Sequence, residues 1–385
     1  MLEDIRIVDM TSVIFGPYST QILADCGAEV IKVESPRGDF FRGAGKPVNT
    51  KGMGACHMTL NRGKRAITLD LRDEDDAAVM RDLMETADVF IHNVRKAGIE
   101  RIGFGYDDVK AIKPDIVYVH CTGFGSGGPY EPLQCYDDVV QAASGLTSLM
   151  PMADGDPKPR YVPSAIVDKV AGLHGAYATM AGIIHKLRTG EGQFIEVPMF
   201  EAFTGFLLEE HLFGATFDPP QESILYKRQI APDRQPSPTK DGHMSIVPYV
   251  DENWQKTFEI MGDPDFLGRA GLATPVDRFR NQDKMNARID ELAPARTNAE
   301  WTRLFNQANI PCMAARDINT IMEDPHLKAT GFFKRKEHPS EGGYFEMQPP
   351  VRFSARPDPE IGPAPRIDEH GEEIREELAM RKAAE

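Results

Sequence analysis

The feature that most limits the fold of this chain is an alternation within its first 200 residues, where short runs dense in Val and Ile are separated by helix-like segments. IRIVDM (5–10), EVIKVE (29–34), DVFIHN (88–93) and DIVYVHC (115–121) have strand length, and their β-branched content suits a pleated, buried surface. Between them, Pro17 opens a helix at YSTQILADCG, since a first turn has no use for the N–H that proline lacks. DEDDAAVMRDLMETA (73–87) gathers its acids where a helix dipole favours negative charge. Strand and helix alternating at this spacing predict an α/β fold, a parallel sheet with helices on its faces.

After GQFIEVPMFEAF (192–203) the rhythm changes. Residues 216–240 hold FDPPQES and APDRQPSPTKDG, turn-rich text that reads as a linker. A second region follows, with one strand-like stretch, HMSIVPYV (243–250), and helices at MNARIDELAPA and AEWTRLFNQA. ARPDPEIGPAPRIDEHGEE (355–373) is proline-rich and extended, and it precedes a short charged helix. A chain of 385 residues is long enough for two domains.

Composition narrows the function. A formal charge of −15 excludes general nucleic-acid binding, which needs a basic surface to neutralise phosphates. An anionic ligand then requires a locally basic pocket. LEDIRIVDM lacks the basic and apolar regions of a secretory signal, and nowhere do eighteen apolar residues run together, so no membrane association is expected. The five cysteines (Cys26, Cys56, Cys121, Cys135, Cys312) are scattered singly, which fits reduced thiols in the cytoplasm. His92, His120, His174 and His185 form no metal-ligand spacing, so no metal is expected.

One carboxylate stands out. In VPSAIVDKVAGLHGAYATMAGIIHKL (162–187), Asp168 sits where an N-cap belongs, and Val170, Leu173, Tyr177 and Ile184 follow at helical spacing. As a cap it would contribute roughly 0.5–2 kcal/mol, although Ala171 stands where a capping box would need Glu. Ala171, Gly175, Ala178 and Gly182 recur at intervals of four, three and four, along one helix face. Glycine inside a helix costs about 0.5–1 kcal/mol relative to Ala, so such a face serves close approach, by another backbone or a flat ligand. A carboxylate at a helix N-terminus is also kept ionised, the state a carboxylate nucleophile needs. Cap and nucleophile both remain open on these residues alone.

Motifs along nearly the whole chain resemble the class III CoA-transferase family, which includes formyl-CoA transferase, carnitine CoA-transferase and α-methylacyl-CoA racemase. They are IRIVDMTSVIFGPYSTQILADCGAEVIKVESPRGDFFR (5–42), LNRGKRAITLDLR (60–72), ADVFIHNVRKAGIERIGFGYDDV (87–109), YVHCTGFGSGGPY (118–130), YDDVVQAASGL (136–146), the Asp168 helix, RTGEGQFIEVPMFEA (188–202), TKDGHMSIV (239–247), NIPCMAARDI (309–318) and EDPHLKATGFF (323–333). The resemblance implies a Rossmann-like large domain built from residues 1–200 and 325–385, a linker over 201–235, a small domain over 236–324, and two protomers interlocked as a homodimer. It also implies that Asp168 attacks an acyl-CoA thioester and carries first the acyl group and then CoA, with a carboxylic acid as acceptor. Coenzyme A enters as substrate, and no further cofactor is expected.

The same resemblance implies roles for other residues. Lys64 or Arg65 and Arg101 are expected near the nucleotide, with Asn93 and Val94 beside it; Arg62 and Arg95 are further basic candidates. Arg37 would reach the adenine, where Ser35 replaces a common Arg. Ile14 replaces a Gln of the formyl-CoA branch, implying a larger or less polar acyl group, and the glycine-rich loop of that branch has no counterpart near VPYVDENW (247–254). Tyr136 stands where the racemase branch has His; a phenol, ordinarily titrating at about 10, is a poor substitute for that imidazole, which favours transfer over racemisation. Tyr136 is expected in the acyl pocket, and Asp137 to orient Asp168. The rivals are a racemase or isomerase of the same fold, a CoA-binding protein without turnover, and a nicotinamide-dependent oxidoreductase. The last lacks G-x-G-x-x-G at its first strand–helix junction, which reads MTSVIFGPY.

Overall fold

Six parallel strands form the main sheet: β1 (Arg6–Met10), β2 (Glu29–Glu34), β3 (Arg65–Thr68), β4 (Val89–His92), β5 (Val117–Thr122) and β6 (Gln193–Pro198), in the order β3-β2-β1-β4-β5-β6. The computed structural model describes residues 1–357 and 359–384. The expected parallel α/β architecture is present. The four strands anticipated from Val and Ile content are the central four, buried enough to demand that composition. The chain builds outward from β1 to β3, then returns to β4 and builds the other way. That reversal opens a crevice beyond the carboxyl ends of β1 and β4, where open α/β sheets bind ligands.

Both faces of the sheet are covered. Helices α1 (Phe15–Asp25), α2 (Glu74–Thr86), α3 (Asp137–Ala143) and α4 (Ile166–Thr189) belong to this unit, together with a C-terminal helix, Gly371–Ala384. Asp73 caps α2 by accepting from the backbone N–H groups of Asp75 and Asp76. On one face Met80, Leu83, Ile374 and Leu378 pack with Val8, Ile31, Phe90 and Tyr118. On the other, α4 crosses β5 and β6, and α1 lies along α4.

The chain separates into two compact units. The first comprises Met1–Leu146, Tyr161–Glu209 and the chain from His326 onward; the second comprises Thr147–Arg160 and Glu210–Pro325. In the second, β7 (Ser237–Thr239), β8 (Gly242–Ile246) and β9 (Cys312–Ala314) form an antiparallel sheet. Helices Asp251–Ile260, Gln282–Leu292 and Asn298–Gln307 surround a core of Trp254, Phe258, Met285, Ile289, Trp301 and Phe305. Strand β8 stops at Ile246, short of the expected Val250; Pro248 has no N–H for a ladder. No helix among the described residues is long and apolar enough to cross a membrane.

Candidate active site

Helix α4 begins at Ile166, and Asp168 is its third residue; Ala165 holds the cap position and makes no side-chain bond there. The expectation that Asp168 caps the helix is therefore corrected. Capping comes from α3: Asp137 Oδ2 accepts from the backbone N–H of Val167 at 2.8 Å and of Asp168 at 3.0 Å. Its Oδ1 accepts from Gln141 Nε2 at 2.6 Å, while Gln141 Oε1 accepts from Val162 N at 2.9 Å. One buried carboxylate and one amide thus fix both the start of α4 and the segment leading into it.

This arrangement changes the chemistry of Asp168. Its residue is 7% exposed, and among the described residues no hydrogen bond reaches its carboxylate. Burial, and then the charges of Asp137 and Asp138, push its pKa up to about 7, against a smaller opposing effect of Lys169. The helix terminus was expected to keep it ionised, but the donors that would do so are taken by Asp137. A more basic carboxylate is the better nucleophile once it has lost its proton.

The small-residue face of α4 serves close approach by protein. A methyl group on Gly172 would stand 2.8 Å from Tyr18 Cδ1, and one on Gly175 would stand 2.3 Å from Ser19 Oγ. Ser19 Oγ donates to the Gly172 carbonyl at 2.9 Å, tying α1 to α4 where only glycine leaves room. Asp168 precedes Gly172 by one turn, about 6 Å along the axis, and a methyl group on Gly172 would also stand 3.1 Å from the Phe15 carbonyl, at the start of α1.

The turn entering α1 sits at the sheet's reversal point. Asn93, just past β4, donates from Nδ2 to the Ser12 carbonyl at 2.9 Å and accepts at Oδ1 from Ser12 N at 3.0 Å. Ile14, half-buried, is the cap residue of α1. Val94 packs against the sheet core, and its carbonyl lies 3.1 Å from His120 Nε2. Beside this turn, beyond the ends of β1, β2 and β3, lies a cleft of about 500 Å3 walled by Met10, Ser35, Arg37, Leu71, Arg72 and Ile102. Arg101 is exposed at the residue preceding Ile102.

The structure therefore brings Ile14, Arg37, Asn93, Val94 and Arg101 to the carboxyl rim of the sheet. It takes Lys64 and Arg65 elsewhere. Lys64 points inward: its Nζ donates to Asp9 Oδ2 at 3.1 Å, Thr20 Oγ1 at 2.7 Å, Asn61 Oδ1 at 3.0 Å and the Pro17 carbonyl at 3.1 Å. Burial lowers its pKa to about 8. Arg65 opens β3 at the opposite end of the sheet and pairs with Glu29, Glu373 and Glu377. Arg62 is also engaged, with Asp25. The basic NRGKR segment is spent inside the fold. Arg72, missed in the sequence, lines the cleft instead; it ends LNRGKRAITLDLR, four residues past the end of β3, and is paired with Asp70 at 2.7 Å. Tyr136 is 62% exposed, at the cap position of α3, immediately before Asp137.

Comparison with known proteins supplies the rest. Residues 2–371 match CoA-transferase family III. The chain is 29% identical over 382 residues to human succinyl-CoA:glutarate CoA-transferase, covering 98% of this chain and 86% of that protein. It is 29% identical over 398 residues to formyl-CoA:oxalate CoA-transferase of Rhodopseudomonas palustris, covering 97% and 92%. The crystal structure of Rv3272 from Mycobacterium tuberculosis superposes with a TM-score of 0.83 at 26% identity, over 96% of this chain and 98% of that one. A CaiB/BaiF family protein from Brucella suis gives 0.81 at 28% identity, over 98% and 99%. Over residues 2–371, nearly its full length, the chain belongs to CoA-transferase family III.

Proposed function

We propose that this protein moves CoA from an acyl-CoA donor to a carboxylic acid acceptor, with Asp168 as the covalent carrier. The observation that carries this reading is the state of Asp168: a buried carboxylate, held by its backbone, whose oxygens accept no hydrogen bond among the described residues. Relatives are named for transfer between succinyl-CoA and glutarate and between formyl-CoA and oxalate, so a thioester and a carboxylate are the substrate classes.

The steps balance without water. The Asp168 carboxylate attacks the thioester carbon, the C–S bond breaks, and CoA thiolate leaves behind a mixed anhydride. The thiolate then attacks the aspartyl carbonyl carbon; the anhydride C–O bond breaks, releasing the donor acid and leaving an aspartyl-CoA thioester. The acceptor carboxylate attacks that thioester and expels thiolate, which attacks the acceptor's acyl carbon to give the new acyl-CoA and free Asp168. One acyl exchange becomes four steps of similar energy. Burial of Asp168 keeps water from the anhydride.

In this reading CoA lies along the carboxyl rim, with Arg37, Arg72 and Arg101 as its phosphate partners and Asn93, Val94 and Ile14 along its length. Lys64 and Arg65 have no part in it. Asp137 is a positioning residue, and Tyr136 stands beside the acyl group. The outward face of α4 carries Leu173, Tyr177, Ile184 and Leu187, all more than half exposed, which supports a homodimer, interlocked as the family resemblance implies. Five free cysteines fit a cytoplasmic protein.

The test is hydroxylamine trapping during turnover, followed by peptide mass analysis. A hydroxamate at Asp168 is expected, and Asp168→Ala is expected to abolish exchange while CoA still binds. Retained turnover in Asp168→Ala would move the nucleophile elsewhere. A pKa near neutrality would also suit removal of an α-proton, the racemase chemistry. Deuterium entering the α-carbon from heavy water would favour that second reading.

A further inference from the structure

We propose that the buried Lys32–Asp39 pair clamps the turn Thr11–Val13 in a preformed, strained conformation, which makes Lys32 and Asp39 positioning residues for the binding of CoA. This rests on the reading that the carboxyl rim receives CoA.

Lys32 lies in the interior of β2, opposite Asp9 of β1. Its side chain is fully buried, and that of Asp39 is nearly so. Their Nζ–Oδ2 distance is 3.1 Å. What the pair does with its remaining hydrogen-bonding capacity is telling. Lys32 Nζ also donates to the Thr11 carbonyl at 2.9 Å, and Asp39 Oδ1 accepts from Val13 N at 3.1 Å. Asp39 is itself held: its Oδ1 also accepts from Phe41 N at 2.9 Å, and its own N–H donates to Glu34 Oε1 at 2.8 Å.

The turn has further tethers. Thr11 N donates to Asp9 Oδ1 at 2.9 Å, and both backbone groups of Ser12 are bonded to Asn93. Five consecutive backbone groups, Thr11 N to Val13 N, are thus each bonded to a side chain, supplied by four residues: Asp9, Lys32, Asn93 and Asp39. Val13 has φ 71°, a left-handed conformation that a β-branched residue rarely adopts and that persists only when surroundings over-determine it. A buried ion pair contributes less to stability than apolar residues of the same volume, so stability alone is a poor reason for Lys32 inside VIKVE. Fixing a turn before a ligand arrives removes the ordering cost from binding.

The clamp should therefore act on affinity and leave the chemical steps alone. Lys32→Met with Asp39→Ala removes two opposite charges together, and Asp9 keeps Lys64 as its partner. In the full chain, this double variant should bind CoA roughly tenfold more weakly by calorimetry, with KM for acyl-CoA raised in parallel and kcat within about twofold. Lys32→Met with Asp39→Asn, which keeps an acceptor for Val13 N, should recover most of the affinity. Val13→Gly touches no buried charge, keeps every backbone tether and relieves the strain; it should leave Tm unchanged or slightly raised. Hydrogen exchange at Thr11–Val13 reads the clamp independently of any ligand; it should speed up in the Ala-containing double variant and not in Val13→Gly. Unchanged exchange or unchanged CoA affinity in a folded Ala-containing double variant would overturn the clamp, as would faster exchange in Val13→Gly. Failure of the wild-type protein to bind CoA would instead overturn the assignment of the rim.

Discussion

At the scale of single residues, Asp168 shows how position along a helix and occupancy of its donors decide a carboxylate's state. A first-turn Asp ordinarily gains from the free N–H groups, but Asp137 takes two of them and adds its own charge nearby. With the pKa near 7, kcat/KM should rise with pH through about 7 as the nucleophile ionises, a profile that stopped-flow or steady-state rates can trace. The stability consequence has the opposite sense. Between the ordinary Asp value and about 7, the folded chain holds a proton that the unfolded chain has released, so stability falls as pH rises across that window and levels off above it. Asp168→Asn should then raise the unfolding free energy at pH 8 by on the order of a few kcal/mol, measured by urea denaturation, and leave it nearly unchanged at pH 4. An equal gain at both values would contradict a raised pKa. None of this was legible in VPSAIVDKV, because burial comes from the whole fold and the carboxylate that takes the helix donors lies 31 positions upstream.

At the scale of elements, the pairing of α1 with α4 depends on what glycine leaves out. Gly175→Ala would drive a methyl group into Ser19, an overpacking of about 1–3 kcal/mol. Combining it with Ser19→Gly should recover part of that loss, a coupling that urea denaturation of the cycle would measure. The α3–α4 junction makes a separate prediction. Asp137→Asn keeps an acceptor for the cap but removes a charge near Asp168, so the rising limb of the pH–rate profile should move to lower pH. An unmoved limb would mean that burial alone sets the value. The central strands announced themselves through Val and Ile because both of their faces are covered. Strand β6 did not, since at the sheet edge Gln193 and Glu196 are tolerated and its burial is partial.

At the scale of the whole molecule, an outward stripe of Leu173, Tyr177, Ile184 and Leu187 is an unusual way to spend apolar residues on a helix in a chain with a charge of −15. In the proposed homodimer, Ile184→Glu with Leu187→Glu should shift light scattering toward monomer or aggregate; a dimer left intact would place the interface elsewhere. By itself the sequence determined the alternation of strand and helix, the class of parallel sheet, and the family, since each is written in local composition or in residues read in order. Only the tertiary structure decided which charges line the cleft and which are held inside the fold. Lys64, Arg65 and Arg72 lie within eight positions of chain, yet one enters the core, one crosses to the far end of the sheet, and one lines the cleft. The physical reason is that a cation's energy depends on the carboxylates and the solvent around it, and those neighbours arrive from elsewhere in the chain as it folds.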